Sequence, residues 1–316
     1  MKKVILTILL ILLLVGCEGN MREQGDKINI VCTIFPHYDW VRQIIGEDNM
    51  DKYNLTLLID NRIDLHSYSP SVHDITKIKN SDVFIYIGGD SDSWVSSVLN
   101  DTDVIAINLF ELLGDMVIWD DHNHDEEDCD EDHENEEPHA DEHVWLSLKN
   151  AKFLCTEIAN MLIEADPENA KAYIDNLNAY TTQLSALDNE FKAVTDTARV
   201  TSLVFADRFP FRYLTEDYGL KYYAAFSGCS AETEASFVTI ISLANRVNQL
   251  GVDVVMVTES ADQSIAQTVI NSTDTKNQRI LVLDAMQSVT SADVESGVTY
   301  LSVMRNNLEV LKDALN

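Results

Sequence analysis

Apolar residues follow two alternating rhythms along this chain. Short runs rich in β-branched residues, at Ile28 to Phe35, Tyr53 to Ile59, Val83 to Ile87 and Val104 to Asn108, read as strands. Four more, at Ser202 to Phe205, Lys221 to Ala225, Val252 to Val257 and Ile280 to Leu283, repeat the pattern late in the chain. Between them, apolar positions fall at helical spacing. Trp40, Val41, Ile44 and Ile45 lead to a stop at Gly46, and further helices fit Pro70 to Lys79, Ser93 to Leu99, Phe237 to Leu250, Gln263 to Ile270 and Val294 to Leu315. Strands alternating with helices predict α/β architecture with parallel sheets, in which ligands bind beyond the carboxyl ends of the strands.

One segment breaks the rhythm. Ala170, Tyr173, Ile174, Leu177, Tyr180, Leu184, Leu187, Phe191 and Val194 form a helical stripe with no Gly or Pro inside it. Asp166, Pro167 and Glu168 suit a helix start, as cap, first-turn proline and dipole partner. The pattern predicts one long helix over residues 166–198, a rigid spine between a first α/β lobe (27–165) and a second (199–316). A cleft between two such lobes is the natural ligand site.

The N-terminus has a different character. Lys2 and Lys3 precede an apolar run from Val4 to Val15 interrupted only by Thr7. This is shorter than the roughly 20 residues a membrane-spanning helix needs and reads as an export signal over residues 1–16. Leu14-Val15-Gly16-Cys17 resembles the bacterial lipoprotein lipobox, which implies cleavage before Cys17 and its lipidation. Residues 17–26 would then tether an extracytoplasmic protein to the membrane. Cys32, Cys129, Cys155 and Cys229 form no CxxC pair or disulfide framework. Cys32 in a strand and Cys155 in a helix read as buried thiols, whereas Cys129 lies among carboxylates as a potential soft ligand.

Charge sharpens the picture. The 316 residues carry 22 basic and 53 acidic side chains, a formal net charge of −31, which opposes nucleic acid as a partner. Fourteen of the acidic residues lie between Asp120 and Glu142, where there is no Lys or Arg. The same stretch holds His122, His124, His133 and His139, and His143 follows it. Imidazole suits zinc, and carboxylates concentrate divalent cations, so this segment reads as a loop that captures metal through several weak sites. Two further histidines sit where an α/β sheet places a cleft mouth. His66 lies in Asp64-Leu65-His66-Ser67-Tyr68, and His143 opens His143-Val144-Trp145-Leu146-Ser147. His37 and His73 read as a surface and a structural residue.

With these motifs in hand, the chain resembles the cluster A-I solute-binding lipoproteins of zinc and manganese ABC transporters. The resemblance rests on Ile34-Phe35-Pro36, His66-Ser67-Tyr68-Ser69-Pro70, His143-Val144-Trp145-Leu146-Ser147, the spine and the last helix. The acidic, histidine-rich loop is characteristic of zinc-type members. It implies two α/β lobes joined by a long helix, one metal between them, and His66 and His143 as first-lobe ligands. The second lobe departs from the pattern. Where zinc-type relatives carry a histidine and manganese-type relatives a glutamate, this chain reads Ala206-Asp207-Arg208-Phe209-Pro210-Phe211. Asp207 is the nearest carboxylate for a third ligand, Glu232 and Glu234 compete with it, and Asp284 matches the position of the family's last carboxylate.

The expected function is therefore capture of Zn2+, with Mn2+ as the alternative, and its delivery to a membrane permease by a monomeric, lipid-anchored binding protein. Both imidazoles must be neutral to bind, so affinity is expected to fall with pH near ~6.5. A surface adhesin with a structural metal is a competing class. An enzyme is not expected, because HExxH, the Gly-x-Ser-x-Gly elbow and the P-loop are missing from the sequence.

Overall fold

A computed structural model describes residues 27–119, 139–228 and 234–316. Cys17, His122, His124, Cys129, His133, Cys229 and Glu232 lie outside the described residues. Strands β1 (Ile28–Cys32), β2 (Tyr53–Leu57), β3 (Val83–Tyr86) and β4 (Ile105–Asn108) form one parallel sheet in the order β2-β1-β3-β4. Strands β5 (Ser202–Phe209), β6 (Lys221–Ser227), β7 (Val254–Thr258) and β8 (Arg279–Leu283) form a second, in the order β6-β5-β7-β8. Both sheets share one plan, in which chain order reverses around the first strand. That reversal opens a crevice at the carboxyl ends of the strands, where α/β proteins bind ligands.

The spine forms as one helix, α6 (Ala170–Asp196), after helices α1 (Phe35–Ile45), α2 (Val72–Lys79), α3 (Val95–Leu99), α4 (Leu109–Leu113) and α5 (Leu148–Ala165). Its 27 residues span about 40 Å at 1.5 Å per residue. Tyr173, Tyr180, Leu184, Leu187 and Phe191 make its buried stripe. Asp166 does not cap it. A short 3-10 turn, Pro167–Asn169, intervenes, and the Asp166 carboxylate instead accepts from Tyr53 Oη (3.2 Å), Tyr173 Oη (2.7 Å) and Asn169 Nδ2 (2.6 Å). Asn176 on the spine donates to the carbonyls of Ile44 (3.0 Å) and Ile45 (3.3 Å), satisfying acceptors that the end of α1 leaves open. A side chain at Gly46 (φ 74°) would collide with Asn176, so the glycine that stops α1 also admits the spine.

Helix α7 (Arg212–Tyr218) follows β5, α8 (Phe237–Leu250) follows β6 and α9 (Ser264–Ser272) follows β7. The single helix expected at the C-terminus is two, α10 (Ser291–Glu295) and α11 (Tyr300–Leu315), parted at Gly297, whose φ of 99° no helix contains. His37 is also a correction. It is fully buried, with Nε2 3.1 Å from Thr33 Oγ1 and 3.2 Å from the Ile34 N–H, and burial pushes its pKa down to about 3. His73 is exposed on α2, while Cys32 and Cys155 are buried free thiols as expected.

The two lobes share a core. One continuous apolar cluster runs from Ile30 and Trp40 through Trp145 and Leu187 to Phe205, Tyr300 and Leu311. Tyr300 at the start of α11 stands edge-on to Trp40 of α1, with ring centroids 5.3 Å apart. Its N–H donates to Asp39 (2.9 Å) and its hydroxyl to the Trp145 carbonyl (2.6 Å), while the Trp145 indole donates to the Ala285 carbonyl (2.8 Å). The cleft floor is thus welded by buried hydrogen bonds and aromatic contact. Leu184, fully buried on the spine, lies in this cluster. Leu184→Ala is expected to cost about 2–5 kcal/mol of unfolding free energy, read from a urea denaturation midpoint.

Candidate metal centre

His66 and His143 reach the cleft from two turns, each preceded by a carboxylate. Asp64 precedes the 3-10 turn Leu65–Ser67 and accepts from the His66 N–H (2.8 Å). Asp141 accepts from both the His143 N–H and its ring Nδ1, each at 2.9 Å. Tyr213 of α7 fixes this segment: its hydroxyl donates to the Asp141 carbonyl and accepts from the Ile118 N–H, both at 2.9 Å. Trp119 and Ala140 form an isolated antiparallel bridge beside it.

Both imidazoles are held by Nδ1. That of His66 lies 2.8 Å from Ser91 Oγ and 3.3 Å from Glu142 Oε2, while Glu142 Oε1 accepts from the Ser91 N–H (2.8 Å). Burial pushes the Glu142 carboxyl up, but hydrogen bonds from His66 and Ser91 outweigh it and hold the group below its ordinary range. A Cβ at Gly89 would sit 2.6 Å from Glu142 Oε1, so only glycine lets the carboxylate in. Carboxylate partners of this kind fix the tautomer of metal-binding histidines and raise their basicity. Asp141 and Glu142, read from sequence only as part of a motif, are thus the orienting groups.

The two Nε2 atoms face each other at 3.2 Å, lone pair to lone pair where Nδ1 carries the proton on both rings. Two nitrogens on one tetrahedral zinc, each about 2.0–2.1 Å away, stand about 3.3 Å apart. His143 is fully buried and the His66 side chain is 12% exposed, so water has little access to the pair. The donor set therefore fits a zinc ion on its first-lobe side.

Among the described residues, the second lobe meets this pair with Gly228, Gln287 and Arg208. Gly228, after β6, lies so close to the His143 ring that a Cβ would stand 3.1 Å from Cε1 and 2.8 Å from the Phe209 carbonyl. The Gln287 amide lies between His143 Nε2 (2.9 Å) and the two Asp64 oxygens (2.7 and 3.2 Å), where turning its nitrogen toward Asp64 satisfies both ends. Arg208 crosses the cleft to Asp64, with Nη1 3.2 Å from Oδ2. Sequence reasoning assigned no role to Arg208, Gln287 or Asp64. Behind them a cavity of about 260 Å³ is lined by Asp207, Glu259 and Asp262 among others.

The expected carboxylates are engaged elsewhere. Asp207 accepts from the Thr258 N–H (3.0 Å) and the Thr258 hydroxyl, stapling β5 to β7. The pairing of β5 with β6 shifts register between Phe205 and Arg208, and this irregularity accompanies the turn of Asp207 toward β7 and of Arg208 toward Asp64. Asp284 accepts from the Met286 N–H (2.7 Å) and lies against Glu259, whose two oxygens accept from the N–H groups of Ala285 (2.8 Å) and Gln287 (3.0 Å). Burial raises both carboxyls, and the Asp284 charge raises Glu259 further. Glu234 is exposed ahead of α8. His139 pairs with Asp90 (2.6 Å) at the surface. Among the described residues, no three His, Cys, Asp or Glu side chains gather as a metal cage.

Asp92 supports the first-lobe wall, its Oδ2 accepting from the Ile87 and Gly88 N–H groups at 3.0 Å. Burial raises its pKa to about 7, helped by Glu142 and opposed by those N–H groups and by His66. Unfolded, the group titrates near ~3.9, so between these values the native state holds a proton that the unfolded chain releases. This contribution is full below the unfolded pKa and is lost as pH rises through about 7. Asp92→Asn, which keeps a neutral group there, should show less loss of stability between pH 5 and pH 8 than the native chain, read from urea midpoints.

Known proteins resemble this chain in sequence and in fold. The chain is 33% identical over 316 residues to the zinc-binding lipoprotein AdcA of Streptococcus pneumoniae, covering 99% of this chain and 61% of that protein. It is 28% identical to the high-affinity zinc uptake system protein ZnuA of Bacillus subtilis, covering 94% of this chain and 91% of that one. The Zn(II)-bound ZnuA-like domain of Streptococcus pneumoniae AdcA superposes with a TM-score of 0.72 at 29% identity, over 92% of this chain and 99% of that domain. The model of the ZnuA family, described as zinc-uptake complex component A, periplasmic, matches residues 30–314, and the chain belongs to that family.

Proposed function

We propose that this protein is the extracytoplasmic solute-binding component of an ABC importer, which takes up Zn2+ in the interlobe cleft and hands it to a membrane permease. The observation that carries the reading is the 3.2 Å approach of the two Nε2 atoms, each on a ring whose Nδ1 faces a carboxylate. Two lone pairs so placed repel unless a proton or a metal ion lies between them. Zinc suits imidazole better than manganese does, and the relatives named for zinc favour the same cargo.

In this reading His66 and His143 bind the ion, and Glu142 and Asp141 offset its charge from behind the rings. The shared core beneath the cleft limits lobe movement to a small swing. His122, His124, His133 and His139 raise the local zinc concentration near the mouth, and lipidated Cys17 keeps the protein beside its permease. Asp207 and Asp284 would act by shaping the second-lobe wall, and Glu232 and Glu234 remain the carboxylates that could approach the ion from the segment after Gly228.

The test is competitive zinc titration of the mature protein. His66→Ala and His143→Ala should each lower affinity at least 100-fold, and Asp141→Ala by about 10–100-fold through loss of ring orientation. Protons compete for both nitrogens, so native affinity should be weaker at pH 5 than at pH 7.5. Unchanged affinity in both histidine variants would overturn the reading.

A further inference from the structure

We propose that the arm of residues 60–63, which links β2 to the turn of His66, is a clasp on the second lobe that slows release of the ion from the cleft. The inference rests on His66 and His143 being the cation site, and it concerns how long the ion stays, not which groups bind it. The arm begins where the first sheet lets go of the chain. The Leu58 and Ile59 N–H groups still bond the Cys32 (2.8 Å) and Thr33 (2.9 Å) carbonyls, and both side chains are buried. Residues 60–63 are all exposed.

Three features set its contacts apart from ordinary surface ion pairs, which contribute little. First, Arg62 uses both ends of its fork. Nη2 donates to the two Asp293 oxygens at 3.1 and 3.0 Å, and Nη1 donates to the Ser288 carbonyl at 3.2 Å. Second, the grip is double. Two residues earlier, Asp60 accepts from the Ser291 N–H at 2.6 Å, so one short arm holds one short segment at two points. Asp293 is itself fixed, its Oδ2 accepting from the Thr290 N–H (2.9 Å) and hydroxyl (2.6 Å). Third, the arm is bent to reach. Arg62 has a φ of 60°, a left-handed conformation uncommon outside glycine, and Asn61 closes the bend by accepting from the Ile63 N–H at 3.3 Å.

Placement gives the clasp its role. In the first lobe the arm runs directly into Asp64, whose carboxylate accepts from the His66 N–H at 2.8 Å. In the second, the gripped segment starts at Ser288, next to Gln287, whose amide lies 2.9 Å from His143 Nε2. The clasp therefore joins the chain beside one histidine to the chain opposite the other, above a floor that the shared core fixes. Opening the rim breaks the Arg62 and Asp60 bonds together, and the exposed charge pair among them weakens with salt.

The experiment loads the full mature chain with Zn2+ and follows its release by stopped flow into a chromogenic chelator, at chelator concentrations where the rate no longer depends on them. It compares the native chain with Arg62→Ala, Arg62→Lys, the Asp60→Ala/Arg62→Ala double variant and His66→Ala, at about 0.05 M and about 0.5 M salt. Arg62→Ala should release zinc about three- to tenfold faster, and the double variant about tenfold faster or more. Arg62→Lys, which keeps the charge without the fork, should fall between native and Arg62→Ala. Added salt should speed release from the native chain more than from Arg62→Ala. Should the metal-free Arg62→Ala chain melt well below the native one, Arg62→Lys and the salt dependence of the native rate carry the test. If the Arg62 variants match the native rate at both salt concentrations while His66→Ala loses zinc, the clasp is wrong and the histidine site stands. If His66→Ala also leaves zinc binding unchanged, the site itself is wrong.

Discussion

Two imidazole nitrogens turned toward each other at 3.2 Å are the constraint around which the first lobe is built. Left alone they would part, since each presents a lone pair once Nδ1 carries the proton. They do not part because each ring is held from behind, His143 by Asp141 and His66 by Ser91 and Glu142. Those holders are held in turn. Ser91 offers its N–H to Glu142, Gly89 leaves room for the carboxylate, and Tyr213 ties the segment bearing Asp141 to Ile118. The local elements around the site are thus successive layers of support for one close approach.

The same logic explains why the lobes are not separate domains. A pair this close must meet the second lobe with small positional error, and loops hinged freely about the spine would not provide it. Trp40, Trp145 and Tyr300 join the lobes by packing and by buried hydrogen bonds beneath the cleft. Higher up, Arg62 reaches Asp293 with contacts of 3.0 and 3.1 Å, and Asp60 accepts from the Ser291 N–H at 2.6 Å. The floor is apolar and fixed, whereas the upper contacts are exposed ion pairs and hydrogen bonds, each worth little in water. A cleft so arranged can open at its rim without disturbing its base.

How much of this was legible in the sequence depends on the range of the forces involved. Strand and helix periodicity reports burial, which is local and strong, so both sheets, the spine and α8 followed from it. The break at Gly297 was missed because the apolar stripe runs on through it, although its backbone conformation excludes a helix. His37 reads as a surface residue in the sequence, since nothing in its neighbours shows that Thr33 and the Ile34 N–H turn back to bond it. His66 and His143 stand out in the sequence because imidazole beside carboxylate is a chemically distinctive pairing, and the fold brings the two rings together. Their orienting partners were only half so, because Ser91 and Glu142 lie far apart in sequence and meet through the fold.

The second lobe resisted reading for a different reason. Sequence reasoning looks for charge opposite a cation, and therefore selected Asp207 and Asp284. In the fold both carboxylates lie where backbone donors satisfy them: the Thr258 N–H for one and the Met286 N–H for the other. A carboxylate at a strand end has a choice between an ion and an unpaired N–H, and the N–H is always present whereas the ion is not. Among the described residues, what faces the histidines is the neutral amide of Gln287, next to an Arg208 paired with Asp64. Among the described residues, negative charge thus surrounds the histidine pair without entering it, carried by Glu142, Asp141 and Asp64 one atom layer back. A cation drawn to such a pair would be attracted by several charges and bonded by few, which is the arrangement suited to an ion that must leave as well as arrive.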